Sequence, residues 1–182
     1  MIDEAIQIGK KLALFKLIDG ASGNLSFRVD GEIVITKTGV MLDELNDDSF
    51  VKVKIGEKKD IASSDLIVHQ KIYEKTDYKA VLHCHGVYNV VLSLKMDEIV
   101  PVDLEGKMYL GKIKVVDGVF GSETLAEKIA EEIAEKGIVI VRAHGMYVAD
   151  KDLTTAFKKA MYAEHSCEVL FNYLSINRSE YK

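Results

Sequence analysis

Proline occurs once in the 182 residues, cysteine twice and tryptophan not at all. With so little proline, 48% apolar residues and 29% charged ones, the chain is neither collagen-like nor disordered. Two cysteines, Cys84 and Cys167, are too few for a disulfide framework and suit a reducing, intracellular setting. Long apolar runs are missing. Stretches such as residues 12–15 and 138–141 fall far short of the about 20 residues that span a bilayer. Residues 1–18 mix charged with apolar side chains and lack the apolar middle of an export signal. Positive charge is not in excess. Lys and Arg number 24 against 29 Asp and Glu, a net charge of −5, which does not favour nucleic acid as a partner. A cytoplasmic protein is expected, one domain over residues 1–182, long enough to bury a core unaided.

What is present alternates between helix and strand signals. Residues 2–18 read as an amphipathic helix, broken by Gly20, Ser22 and Gly23. Residues 25–29 and 32–36 read as strands about an Asp30-Gly31 hairpin turn, and 50–55 as another strand. Residues 64–74 look helical, capped by Ser63 or Ser64. A buried strand at 80–85, a helix at 88–94 and a strand-like stretch at 108–116 follow. Residues 123–135 read as a helix stopped by Gly137, 138–142 as a third buried strand, and 152–174 as a long amphipathic helix. No repeat or linker interrupts the pattern. It reads as one α/β domain with helices covering a mixed sheet.

The histidines are the chief chemical clue. His83 and His85 flank Cys84, and in a strand alternate residues share a face. Two imidazoles on one face can chelate a metal, while Cys84 points away and is excluded as a ligand. His144 follows another buried strand, in Arg142-Ala143-His144-Gly145. Three histidines at strand ends suit a three-nitrogen metal site with an open position. The pair alone reads equally as a ligand pair or as two polar side chains with ordinary partners.

Gly23-Asn24-Leu25-Ser26, Thr38-Gly39 and Ser63-Ser64 form a second set, each offering N–H and hydroxyl donors to an anion. Ser63-Ser64 also opens a helix, whose dipole favours a phosphate. Singly, each reads as an ordinary turn or cap. Lys37 lies nearby and reads as solvated. His69, four residues after Asp65 on the same helix face, either orients that carboxylate or makes another polar contact. His165 reads as exposed.

In order and spacing, Gly23-Asn24-x-Ser26, Thr38-Gly39, Ser63-Ser64-Asp65-x-x-x-His69, His83-x-His85 and His144-Gly145 resemble the class II sugar-phosphate aldolase/epimerase family. The resemblance covers about residues 1–175. It implies a three-layer α/β/α fold with a mixed, mostly antiparallel sheet. It also implies a homotetramer with active sites between subunits. His83, His85 and His144 would hold zinc. Asn24, Thr38, Gly39, Ser63 and Ser64 would hold the substrate phosphate. The implied activity is reversible cleavage of a fuculose-1-phosphate-like ketose 1-phosphate to dihydroxyacetone phosphate and a small aldehyde.

Asp65 stands where the aldolases carry their proton-moving Glu, and is shorter by one methylene, about 1.5 Å of reach. The family's pentulose-5-phosphate 4-epimerases carry Asp there, so an epimerase is the alternative activity, and a non-catalytic metal- or sugar-phosphate-binding homologue a third reading. Epimerases are longer, and add an Asp after the His-x-His pair and a C-terminal Tyr. Asp103 does not align with that Asp without arbitrary gaps, and Glu105 and Tyr109 are equal candidates to complete a neighbour's site. Tyr181 is a candidate only by its place near the end.

Overall fold

The computed structural model describes residues 1–179, with side chains to residue 176. In chain order they form α1 (Ile2–Leu14), β1 (Asn24–Val29), β2 (Glu32–Thr36), β3 (Phe50–Val53), α2 (Leu66–Lys75), β4 (Ala80–Cys84) and α3 (Val87–Ser93). Then come β5 (Glu98–Ile99), α4 (Leu104–Tyr109), β6 (Ile113–Val116), α5 (Glu123–Lys136), β7 (Ile138–Val141), β8 (Gly145–Asp150) and α6 (Leu153–Ser179). The strands make one eight-stranded sheet in the order β3-β2-β1-β4-β8-β7-β6-β5. Every neighbouring pair is antiparallel except β6 with β7.

Helices cover both faces, giving three layers. On one face, Leu66, Val68 and Ile72 of α2 and Leu125, Ile129 and Ile133 of α5 meet Ile33, Val81, Val139 and Tyr147 of the strands. On the other, Ala5, Ile8 and Leu12 of α1 join Leu92 of α3 and Ala156, Ala160 and Cys167 of α6 over Leu82, Cys84 and Ile140. The two-residue period of β4 thus sends Leu82 and Cys84 to the α6 side and Val81 and His83 to the α2 side. No helix among the described residues is long and apolar enough to cross a membrane.

Local chemistry explains where these elements begin and end. α5 starts at Ser122, whose hydroxyl accepts the Leu125 N–H at 3.2 Å, and stops at Gly137 at φ 70°. In α1, Gly9 lies against the turn at residues 42–44. A Cβ there would sit 1.8 Å from the Leu42 carbonyl oxygen, so only glycine fits.

The structure corrects four expectations. α1 ends at Leu14 rather than residue 18, because Lys16 turns left-handed (φ 57°). The Leu17 N–H then reaches back to the Leu12 carbonyl and the Lys16 N–H to that of Ala13. The cap position of α2 is Asp65, not Ser63 or Ser64, and its side chain makes no cap bond. Residues 108–116 are not one strand. The Asp103 carboxylate accepts the Gly106 N–H and starts α4, and only Ile113–Val116 pairs in the sheet. Finally, residues 145–150 form β8, where no strand was expected.

Candidate active site

Three neighbouring strands build the floor of the site. β1 and β4 pair with Asn24 opposite His83, and β4 and β8 with His83 opposite Tyr147. These residues form a row across one face of the sheet, and the rings of His83 and Tyr147 stack at 4.0 Å and 8°. Asp65 lies over the row. Its Oδ2 accepts the Asn24 amide at 2.7 Å and the Tyr147 hydroxyl at 2.9 Å, and is 3.7 Å from His83 Nε2. Asp65 is 2% exposed.

His85 follows β4, its N–H bonded to the Leu17 carbonyl at 2.7 Å. His144 sits in the turn from β7 to β8, which closes because Ala143 adopts φ 58°. That conformation is unfavourable for a residue with a Cβ, and neighbours hold it. Ser93 Oγ accepts the Ala143 N–H at 3.0 Å, and the Arg142 guanidinium binds the Ser93 and Met96 carbonyls, Asp97 and Asp117. At the other end of α3, the Glu164 carboxylate accepts the N–H groups of Tyr88 and Asn89 and the Asn89 amide. Helix α3 is therefore anchored at both ends, one beside His85 and the other at the turn that carries His144.

The three imidazoles converge. His83 Nε2 is 2.8 Å from His85 Nε2 and 3.0 Å from His144 Nε2. His83 Nδ1 lies 3.0 Å from the Met146 carbonyl, to which only an N–H can bond, so Nδ1 carries the proton and Nε2 presents a lone pair. Burial, with the neighbouring imidazoles, pushes His83 well below the usual 6.5; burial also lowers His85 and His144. Three imidazole nitrogens brought this close can share one cation. The donor set therefore fits one small divalent metal, held by His83, His85 and His144.

These histidines line a cavity of about 190 Å³ that is also lined by Asp65, Asn24, Thr38, Gly39, Ser63 and Ser64. The three histidines, Asp65 and the five residues that the resemblance assigned to the phosphate meet there. The Thr38 N–H is spent on the Ile61 carbonyl and the Ser63 N–H on that of Thr36. The rim's remaining donors to an anion include the N–H groups of Gly39 and Ser64 and the Thr38 and Ser64 hydroxyls. The Asn24 amide keeps one hydrogen beyond the one given to Asp65.

Asp103, Glu105 and Tyr109 do not line this cavity. Asp103 caps α4, and Tyr109 is exposed and stacks on Tyr162 at 5.0 Å. Tyr181 lies outside the described residues. His165 is exposed. Tyr147 and Phe120 were missed in the sequence. Phe120 lines the cavity with its ring 5.3 Å from that of His144. The available signal for Tyr147 was strand alternation after Gly145, legible only once β8 is known to pair with β4.

Residues 3–171 match the model of the class II aldolase and adducin N-terminal domain. The chain belongs to the class II aldolase family. It is an enzyme, a lyase. This class II aldolase is 32% identical over 174 residues to an L-fuculose phosphate aldolase of Methanocaldococcus jannaschii, covering 93% of this chain and 95% of that one. A 5-methylthioribulose-1-phosphate/5-deoxyribulose-1-phosphate aldolase of Escherichia coli is 25% identical, covering 84% of this chain and 75% of the relative. The crystal structure of L-fuculose-1-phosphate aldolase from Thermus thermophilus superposes with a TM-score of 0.93 at 28% identity, covering 97% of this chain and 95% of that one.

Proposed function

We propose that this class II aldolase reversibly cleaves a ketose 1-phosphate, fuculose-1-phosphate-like, into dihydroxyacetone phosphate and a small aldehyde. The observation that carries the reading is the meeting of three imidazole nitrogens, one buried carboxylate and a rim of anion donors in a single cavity. The relatives' names share this substrate chemistry, since L-fuculose-1-phosphate and 5-deoxyribulose-1-phosphate are both ketose 1-phosphates.

In this reading His83, His85 and His144 hold one Zn²⁺ per subunit. When bound, the ion acts as a Lewis acid toward the ketose carbonyl and its adjacent hydroxyl. The phosphate is received by Asn24, Thr38, Gly39, Ser63 and Ser64, which fixes the sugar chain relative to Asp65. When the C3–C4 bond breaks, the C4 hydroxyl passes its proton to Asp65 Oδ1, the aldehyde leaves, and the bonding electrons stay with the donor fragment. Asp65 then delivers a proton to the donor carbon, and removes it in the aldol direction. Both hydrogen bonds to its carboxylate fall on Oδ2, which leaves Oδ1 to carry that proton. Tyr147, raised by burial and by the nearby Asp65 carboxylate, stays protonated and keeps donating to Oδ2. The same reading takes residues 1–182 as one catalytic domain, in the cytoplasm, assembled as a homotetramer whose neighbouring subunits complete the site.

The test is proton exchange into dihydroxyacetone phosphate in heavy water, followed by NMR with zinc-loaded and chelator-treated protein. Metal-dependent, stereospecific exchange is expected. Its absence with zinc bound overturns the aldolase reading. The second reading, a pentulose-5-phosphate 4-epimerase, is favoured by one observation, the aspartate at position 65. It predicts no such exchange, because free dihydroxyacetone phosphate is not the species it deprotonates.

A further inference from the structure

Behind Asp65 a chain of buried polar groups runs away from the cavity, and every hydrogen bond in it has a fixed direction. A carboxylate oxygen only accepts, so the Asn24 group 2.7 Å from Asp65 Oδ2 is the amide nitrogen, and Asn24 Oδ1 faces the other way. There it meets His69 Nε2 at 2.6 Å. An amide oxygen only accepts, so His69 carries its proton on Nε2. In the neutral ring Nδ1 is then an acceptor, and takes the hydroxyl hydrogen of Ser26 at 2.6 Å. Having given its one hydrogen, Ser26 Oγ accepts from the Tyr73 hydroxyl at 2.8 Å. The Tyr73 carbonyl takes the Arg28 guanidinium, which also lies over the Tyr73 ring at 4.6 Å. Tyr73, Ser26, His69 and Asn24 are all buried, so water cannot replace a lost partner. His69 is fully buried and burial lowers it to about 4, so the ring is neutral at neutral pH.

The alternative arrangement is easily stated. An Asn side chain flips at little cost when nothing distinguishes its two ends. Flipped, it would turn its oxygen toward the Asp65 carboxylate, push that group away and remove one of its two donors. The Asp65 carboxylate opposes this from the cavity side. The proton on His69 Nε2 opposes it from the other side, and Ser26 keeps that proton in place.

We propose that His69 and Ser26 are positioning residues for Asp65. Through Asn24 they fix the carboxylate in the orientation that presents Oδ1 to the substrate. The proposal rests on the reading of Asp65 as the proton carrier.

The experiment combines kinetics of proton exchange into dihydroxyacetone phosphate with ¹⁵N NMR of the histidine rings in zinc-loaded protein. His69→Leu leaves Asn24 Oδ1 unpaired in a buried site. It should lower kcat about ten- to a hundredfold with zinc content near wild type, and raise KM by less, since Asn24 is one of five groups placed on the phosphate. His69→Gln, which can return an N–H donor to the Nε2 position, should recover most of that loss. Ser26→Ala, a milder change that keeps the proposal testable if His69→Leu fails to fold, should lower kcat by up to about tenfold. In the wild type the NMR signal of His69 should show a neutral ring protonated at Nε2. A wild-type kcat in His69→Leu, no recovery in His69→Gln, or a proton on Nδ1 would each overturn the proposal. Asp65→Ala separates the two failures. If it exchanges protons normally, the role of Asp65 itself is wrong. If it is inactive while His69→Leu and Ser26→Ala are not, only the positioning role falls.

Discussion

Replacing Glu164 with alanine should destabilise the metal-free protein by about 3 kcal/mol. The carboxylate, delivered from α6, accepts the Tyr88 N–H at 2.7 Å, the Asn89 N–H at 3.1 Å and the Asn89 amide at 2.7 Å. The two N–H groups belong to the first turn of α3, where no carbonyl of the helix can reach them. Loss of an ordinary cap costs roughly 0.5–2 kcal/mol, and a hydrogen bond to a charged group is worth about 1.5–3. Both figures count the same two N–H groups, so they overlap rather than add. The fully buried Asn89 also loses a partner for its amide. In a domain of this size each kcal/mol moves Tm by about 2–4 °C, so a fall of about 6–12 °C is expected. Circular dichroism melting of chelator-treated protein measures it. Because α3 begins two residues after His85, zinc affinity, read by competition with a chromophoric chelator, should also fall about tenfold. Glu164→Gln retains one acceptor oxygen and should lie between alanine and wild type. A Tm for Glu164→Ala within about 2 °C of wild type would refute the reasoning, since it would mean α3 needs no cap from α6.

Tyr147→Phe keeps the ring stacked on His83 but removes a donor to Asp65. Steady-state kinetics should show kcat down about tenfold with KM little changed. Gly9→Ala puts a methyl against the Leu42 carbonyl and should cost about 2 kcal/mol or more in urea unfolding, without altering zinc affinity. Stability should also depend on pH. Burial holds His69 at about 4, against 6.5 in the unfolded chain. As pH falls from 6.5 to 4 the unfolded chain takes up a proton that the folded one does not. This group's contribution therefore falls with pH, by about 3 kcal/mol across the window. Urea titrations of metal-free wild type and His69→Gln should show that share of the slope missing in the variant. Removing the metal with a strong chelator should abolish aldol cleavage, and re-added zinc should restore it; cleavage by fully metal-free protein would contradict the proposed mechanism.

Much of this was legible in the sequence because burial imposes clean periods. α5 repeats apolar residues at Leu125, Ile129 and Ile133 between a serine cap and a glycine stop, and β7 is four apolar residues in a row. β8 was not legible, because the turn before it closes on Ala143 in a conformation that usually advertises itself with glycine or asparagine. Residues 108–116 misled because a short helix capped by Asp103 shares its apolar residues with the strand that follows. At the site, the three histidines and the donor clusters were visible as residue types with family spacing. The partners of Asp65 were not. Spacing along α2 put His69 on the face of Asp65 and left open whether it orients that carboxylate or makes another polar contact; the ring bonds Asn24 and Ser26 on β1. Tyr147 depends on the register of β8 against β4, which no local pattern reveals.

β4 ends in His-Cys and His85 follows directly, and the pleat sorts these side chains by softness. The imidazoles go to the cavity, while the Cys84 thiol goes into the apolar layer under α6, where burial raises its pKa and withholds the reactive thiolate. A slip of β4 by one residue would exchange the two sets, presenting one sulfur to the cavity and sinking two nitrogen bases in hydrocarbon. Asn24 opposite His83 on one flank, and Tyr147 opposite it on the other, fix that alignment. Strand registration thereby offers a borderline divalent cation three imidazole nitrogens and turns the one sulfur in this strand away from it.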